Sequence, residues 1–304
     1  MITETEVVHF DWAINNLLRD KANFDVLEGF LSAVLGEEVE VIKILDNASN
    51  QPDALKNFNR ADILIKDKKQ RQILVEIQNH QEIGYMERIL WGVSKLIVDT
   101  LPESPDYHNI SKVISISILY FNFGLEDDYV YYGVNEFSGL HTQKNLVFRQ
   151  LNPESKKLER RYSKEVFPEY YLISVERFKD VITSDLDEWI YLLKHSALRA
   201  DFKSKNIDKA REKLALLKLS PEERKSYKNY IQTQLIEDEV LETARSEGLQ
   251  EGLEQGVEQG QEKAKLEIAR KLLDQGMDIE MIAAMTGLSV ELINIACVGW
   301  KSEE

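Results

Sequence analysis

Two short β-branched runs, residues 61–65 (ADILI) and 72–78 (QILVEIQ), flank a charged turn over 66–71. Apolar runs of that length with a polar turn between them specify a β-hairpin. What surrounds the hairpin narrows the fold. Residues 23–35 put Phe24, Leu27, Leu31, Val34 and Leu35 at helical spacing, with Gly36 as the stop. Residues 39–45 alternate and are β-branched, which predicts a strand, and the Asn/Ser/Pro/Asp-rich stretch 46–59 predicts a loop. A helix over 83–101 and a buried strand over 112–121 (KVISISILYF) follow. Helix, strand, hairpin, helix, strand is the order of a mixed sheet with helices packed on it. Residues 129–134, 146–150 and 170–175 are further strands, and from Leu186 the pattern turns helical and stays so.

Within that frame the run ILVEIQ is anomalous. Glu76 and Gln78 are two apart on a strand, so they project from one face, while Val75 and Ile77 point the other way. Asp62, at the start of the partner strand, reaches the same end of the sheet. A carboxylate and an amide in a core strand cost burial energy unless a partner compensates. A hard divalent cation is such a partner: Mg²⁺ takes oxygen ligands, one or two carboxylates plus waters and substrate phosphate. Asp62, Glu76 and the Ile77 carbonyl would supply half an octahedron. A metal there would acidify a water and stabilise charge on phosphorus, which suits phosphodiester hydrolysis.

These residues carry a resemblance. Asp62 with Glu76-Ile-Gln78, after a helix bearing Glu28, resembles the PD-(D/E)xK nuclease superfamily, and within it the Rpn group of recombination-promoting nucleases, also described as transposases. NFDVLEGFLSAVLGE, FNRADILI, ILVEIQN, YMERILWGVSKLI and FPEYYLISVERF look like that group too, so the likeness covers roughly residues 10–235. The resemblance implies an α/β restriction-endonuclease-like core of α-β-β-β-α-β type, followed by an all-helical extension. It also implies a metal-dependent DNA endonuclease acting in recombination, mobile-element exchange or phage defence. Asp62 and Glu76 would be the metal ligands, and Mg²⁺ the metal, with Mn²⁺ or Ca²⁺ as alternatives. Gln78 stands where many superfamily members have the catalytic lysine. An amide offers hydrogen bonds and no charge, so either Gln78 orients the attacking water or another residue supplies the charge. Arg88 is the candidate phosphate contact, with the turn lysines Lys66, Lys68 and Lys69 as further backbone holders.

Each residue also has a plainer reading. Asp62 alone is a hairpin-terminal acid, Gln78 an exposed strand-end amide, and Arg88 a surface salt-bridge partner. Glu28 lies on the stripe of Phe24, Leu31 and Leu35, so it faces inward, either as an accessory metal ligand or paired with a buried arginine. The five histidines show no HExxH spacing, and Cys297, the one cysteine, excludes a disulfide scaffold and a multi-cysteine zinc site. No apolar run reaches the roughly 18–20 residues of a spanning helix and no signal peptide is evident, so the expected setting is a reducing cytoplasm.

The net charge of −15 gives nucleic acid no general attraction, so DNA binding must come from local sites. Three regions are expected: a nuclease-like domain over 1–235, a polar Gly-rich helix or linker over 236–264, and a helix-turn-helix-like segment over 265–304. Gly248, Gly252, Gly256 and Gly260 recur every fourth residue, which suits either a flexible linker or close pairing of two helices. In the last segment the second helix, 290–298, carries Glu291 and no lysine or arginine, so it reads as an oligomerisation module rather than a DNA reader. Two functions are carried forward. One is a low-specificity DNA endonuclease assembling through its C-terminal helices; the other is an inactive nuclease-fold binding or assembly protein.

Overall fold

The computed structural model describes residues 4–45, 60–99, 101, 110–152 and 156–295, with residues 60–62 described by their backbone. The elements in chain order are β1 (Glu4–Glu6), α1 (Phe10–Asn16), α2 (Phe24–Leu35), β2 (Val41–Leu45), β3 (Arg60–Asp67) and β4 (Gln72–Gln78). Then come α3 (Tyr85–Asp99), β5 (Val113–Leu119), β6 (Val130–Val134), β7 (Val147–Leu151), β8 (Leu158–Tyr162) and β9 (Glu169–Ser174). The chain continues through α4 (Asp185–His195), β10 (Ala197–Arg199), α5 (Ile207–Lys213), α6 (Pro221–Asp274), α7 (Ile279–Thr286) and α8 (Val290–Ile293). It divides into two compact units, residues 1–227 and 228–304, with α6 running through the division.

The first unit is built on a six-stranded sheet of order β2-β3-β4-β5-β9-β6. β2, β3 and β4 are antiparallel, β5 and β9 run parallel to β4, and β6 closes the edge antiparallel to β9. The expected helix–strand–hairpin–helix–strand core is present as α2-β2-β3-β4-α3-β5, a mixed sheet flanked by helices. α3 covers one face, where Leu64, Leu74, Val93, Leu96 and Val113 make one apolar cluster. On the other face Ile63, Ile65, Ile73, Val75 and Ile77 are buried, and α1 packs on β3. A strand covered on both faces selects apolar or small side chains at every position, which is why ILV is continuous and why VISISIL, buried at all seven positions, admits only the small Ser115 and Ser117 between its apolar residues. Gly36, in the left-handed region (φ +64°), ends α2, and Gly84 (φ +75°) delays α3 to Tyr85 instead of Ile83.

Two features depart from expectation. After α4 the chain is not uniformly helical: β10 pairs antiparallel with β1, Glu4 opposite Arg199. A three-residue strand has no periodicity to read, and its pairing partner lies nearly the whole unit away in sequence. β8, which pairs with β7 in a separate ribbon, was likewise not foreseen, because LERRY is mostly charged. The segment 46–59 and Cys297 fall outside the described residues.

In the second unit the end of α6 packs with α7 and α8 around Ala269, Ile282, Leu288 and Ile293. Gly276 and Gly287, both at positive φ, make the two turns, and Ser289 caps α8 by accepting from the Leu292 amide. Gly248, Gly252, Gly256 and Gly260 are all inside α6, and among the described residues nothing lies within 4 Å of where their Cβ atoms would be. No helix of the described residues is long and apolar enough to cross a membrane.

Helix α2 is pinned at Gly29. A Cβ there would stand 2.5 Å from the Lys205 carbonyl and 2.6 Å from the Trp189 ring of α4. Gly29→Ala should therefore destabilise the first unit by about 1–3 kcal/mol, an overpacking cost. Urea unfolding checks it as a lower midpoint at unchanged slope.

Candidate active site

The parallel strands β4, β5 and β9 end level with one another: Gln78 pairs with Leu119, and Leu119 with Ser174. Carboxyl ends of parallel strands are where α/β sheets leave room for ligands, since the chain departs there into loops. Glu76 and Gln78 of β4 stand at this end, while Gln72 stands at the other. Register sets Asp62 of β3 directly opposite Glu76. On its other side Glu76 stands level with Ser117 of β5, whose buried hydroxyl has no hydrogen-bond partner among the described residues. Glu76 is half-buried while both sequence neighbours are buried.

Gln78 is only 1% exposed, so it is not a strand-end amide in solvent. Its Nε2 donates to the His80 carbonyl at 2.9 Å and to Glu82 Oε1 at 3.0 Å. Its Oε1 accepts from Arg88 Nη2 at 3.0 Å. Arg88, on the first turn of α3, also contacts Glu82 Oε2 at 2.5 Å and lies 4.8 Å over the Tyr85 ring. Both amide hydrogens and one oxygen lone pair are thus committed. The network fixes the amide's orientation and holds the Arg88 guanidinium against it. Glu82 was missed by the sequence reading. Its one signal is an acid four residues beyond Gln78, in a loop that charge alone does not place.

The remaining candidates are elsewhere. Among the described residues Glu28, half-buried on α2, pairs with no arginine; its Oε1 accepts from the Val41 amide of edge strand β2 at 2.9 Å. Ile77 lies between Ala61 of β3 and Ile118 of β5, so its carbonyl sits in a ladder paired on both sides. The turn lysines lie at the opposite end of the hairpin. Lys66 is four residues from Asp62, about 14 Å along an extended strand. Lys68 pairs with Glu40 at 2.7 Å and Lys69 with Glu37 at 2.5 Å. Burial alone would raise Glu37, but Lys69 and Arg71 outweigh it and hold its carboxyl below the usual range. Those cations serve the turn. Among the described residues no three His, Cys, Asp or Glu side chains converge on a metal-sized site.

Cutting the Gln78–Arg88 bond from either side leaves a buried group short of a partner, at about 1–3 kcal/mol each. A double-mutant cycle with Gln78→Ala and Arg88→Ala should return a coupling energy of about 0.5–3 kcal/mol in urea unfolding, because the two share one network. Additive losses would show that the bond contributes nothing.

Comparison with known families adds two findings. Residues 8–244 match the family model described as PD-(D/E)XK nuclease family transposase, and residues 262–297 match the Rpn/YhgA-like nuclease family, C-terminal HTH domain. No curated protein and no solved structure matches the chain.

Proposed function

The chain belongs to the PD-(D/E)XK nuclease family transposases, and on that premise we propose that it is a divalent-metal-dependent DNA endonuclease of low sequence specificity. The observation that carries this reading is the pairing of Asp62 opposite Glu76 at the carboxyl end of β4, beside the Gln78–Arg88 bond. Nucleases of this family generally use divalent metals, and an all-oxygen donor set at that position suits Mg²⁺, or Mn²⁺ in its place. When bound, the cation would neutralise phosphodiester charge and acidify a water. Asp62 and Glu76 would hold it. Arg88 would contact a phosphate oxygen through the guanidinium edge that Gln78 does not occupy. Gln78 and Glu82 would keep that edge aimed along the sheet end. Glu28 has no part in this chemistry and serves β2. A site that reads backbone rather than bases fits roles in recombination, mobile-element exchange or phage defence, in the cytoplasm.

The test is nicking of supercoiled plasmid with Mg²⁺, with EDTA, and with Glu76→Ala. Wild type should nick only with metal, and the variant should lose at least about a hundredfold, since several kcal/mol of charge stabilisation goes with the metal. Activity surviving in Glu76→Ala places the chemistry elsewhere. Well-folded wild type that cleaves nothing favours the second reading, an inactive assembly protein on a nuclease fold.

The C-terminal helices serve assembly in this proposal. Residues 275–300 contain no lysine or arginine, so they offer duplex phosphates no cation. Met281, Met285 and Ile295 are more than half exposed, a surface suited to a second copy. Met281→Glu with Met285→Glu in the full chain should lower the mass measured by light scattering to that of a single chain. An unchanged oligomer assigns assembly to another surface.

A further inference from the structure

Between residues 144 and 164 the chain carries seven lysines and arginines against two carboxylates, in a protein with a net charge of −15. The β7–β8 ladder sorts these residues by face. Arg149 stands opposite Arg160, Val147 opposite Tyr162 and Leu151 opposite Leu158, so the six share one side of the ribbon. All six are exposed. Phe148, Gln150 and Arg161, which alternate with them, are half-buried. Arg161 is occupied on that inner side, donating to Gln150 Oε1 at 2.9 Å and to the Glu165 carbonyl at 3.1 Å. The outer side therefore sets two arginines abreast, framed by apolar and aromatic side chains. Among the described residues neither Arg149 nor Arg160 has a carboxylate partner. Like charges directly opposed destabilise a ladder, and an anion spanning both removes that cost.

The ribbon is firmly rooted. Ser163 Oγ donates to the Asn135 carbonyl at 2.9 Å, the Phe137 and Phe167 rings lie 5.3 Å apart, and Lys112 Nζ donates to the Phe167 carbonyl at 2.5 Å. It leaves the sheet where Val134 pairs with Glu169, and Glu169 pairs with Ile114 near the start of β5. That is the end opposite Gln78. Seven residues of strand separate the two ends, about 20 Å, which is less than one turn of a DNA duplex at about 34 Å.

We propose that the outer face of the β7–β8 ribbon is a docking site for the backbone of duplex DNA, with Arg149 and Arg160 on phosphates and Tyr162, Val147, Leu151 and Leu158 against the sugars. Charge complementarity selects this occupant: a polyanion is repelled by the acidic remainder of the chain and attracted here. The shape agrees, since a two-stranded ribbon is of a size that a DNA groove admits. The proposal rests on the nuclease reading and adds to it a second attachment, remote from the reacting phosphate, that sets affinity.

The experiment is anisotropy of a labelled duplex titrated with the full-length protein in EDTA at several salt concentrations, with thermal midpoints measured alongside. Arg149→Ala with Arg160→Ala should weaken binding on the order of tenfold to a hundredfold near 0.1 M salt and reduce the salt slope by about two. Arg149→Lys with Arg160→Lys should keep the slope, and both variants the wild-type midpoint. An alanine variant with wild-type affinity and slope overturns the ribbon site, while metal-dependent nicking by the same protein leaves the nuclease reading standing. Wild type that binds no duplex at all overturns both.

Discussion

Strand β4 is paired on both edges and covered on both faces, and the first unit is organised around that burial. Each Val, Leu or Ile it removes from water contributes about 1.5–3 kcal/mol. A buried polar group without a partner costs about 1–3 kcal/mol, so a single unpartnered Gln78 would cancel one of those side chains. The strand carries Gln78 at its end because three hydrogen bonds satisfy it: its amide nitrogen donates to His80 and Glu82, and its amide oxygen accepts from Arg88. Those bonds tie the end of β4 to the first turn of α3. The helix that covers the sheet and the charge that faces its end are thereby fixed by one side chain.

Like-charged residues stand opposite one another at several ladder positions, Lys43 and Lys66 among them, and two of these positions bear on the proposed chemistry. By register Asp62 stands opposite Glu76 in the core sheet. Arg149 and Arg160 meet on an exposed ribbon, where water screens them and the cost is small. The first arrangement calls for a compact cation, the second for an extended anion. A metal and a nucleic-acid backbone are the complementary pair that a phosphodiesterase brings together.

Much of this was legible in the sequence. The hairpin, its flanking helices and β5 follow from apolar runs of clear length and period, and Glu76 and Gln78 stand out because they break one of those runs. What could not be read depends on distant partners. β10 exists only because β1 comes back to it, and the Val41 amide that satisfies Glu28 lies thirteen residues on, in another element. The role of Arg88 could be suspected from its position. That it bonds to Gln78 depends on how far Gly84 postpones the helix, which spacing does not give. The turn lysines misled for a related reason: near in sequence to Asp62, they lie at the other end of an extended strand. The basic ribbon escaped because LERRY is mostly charged and does not read as a strand, so nothing in the sequence sets Arg160 opposite Arg149.

The bond from Val41 to Glu28 has a consequence beyond holding β2 in place. β2 is an outer strand of the six-stranded sheet, and an outer strand exposes amides on which any other extended chain can template. Glu28 fills one of those donors with a carboxylate from the protein's own helix and sets a negative charge beside the next position. A strand trying to add there would meet an occupied amide and a repulsive oxygen. That acid keeps the sheet edge from becoming a seed for aggregation.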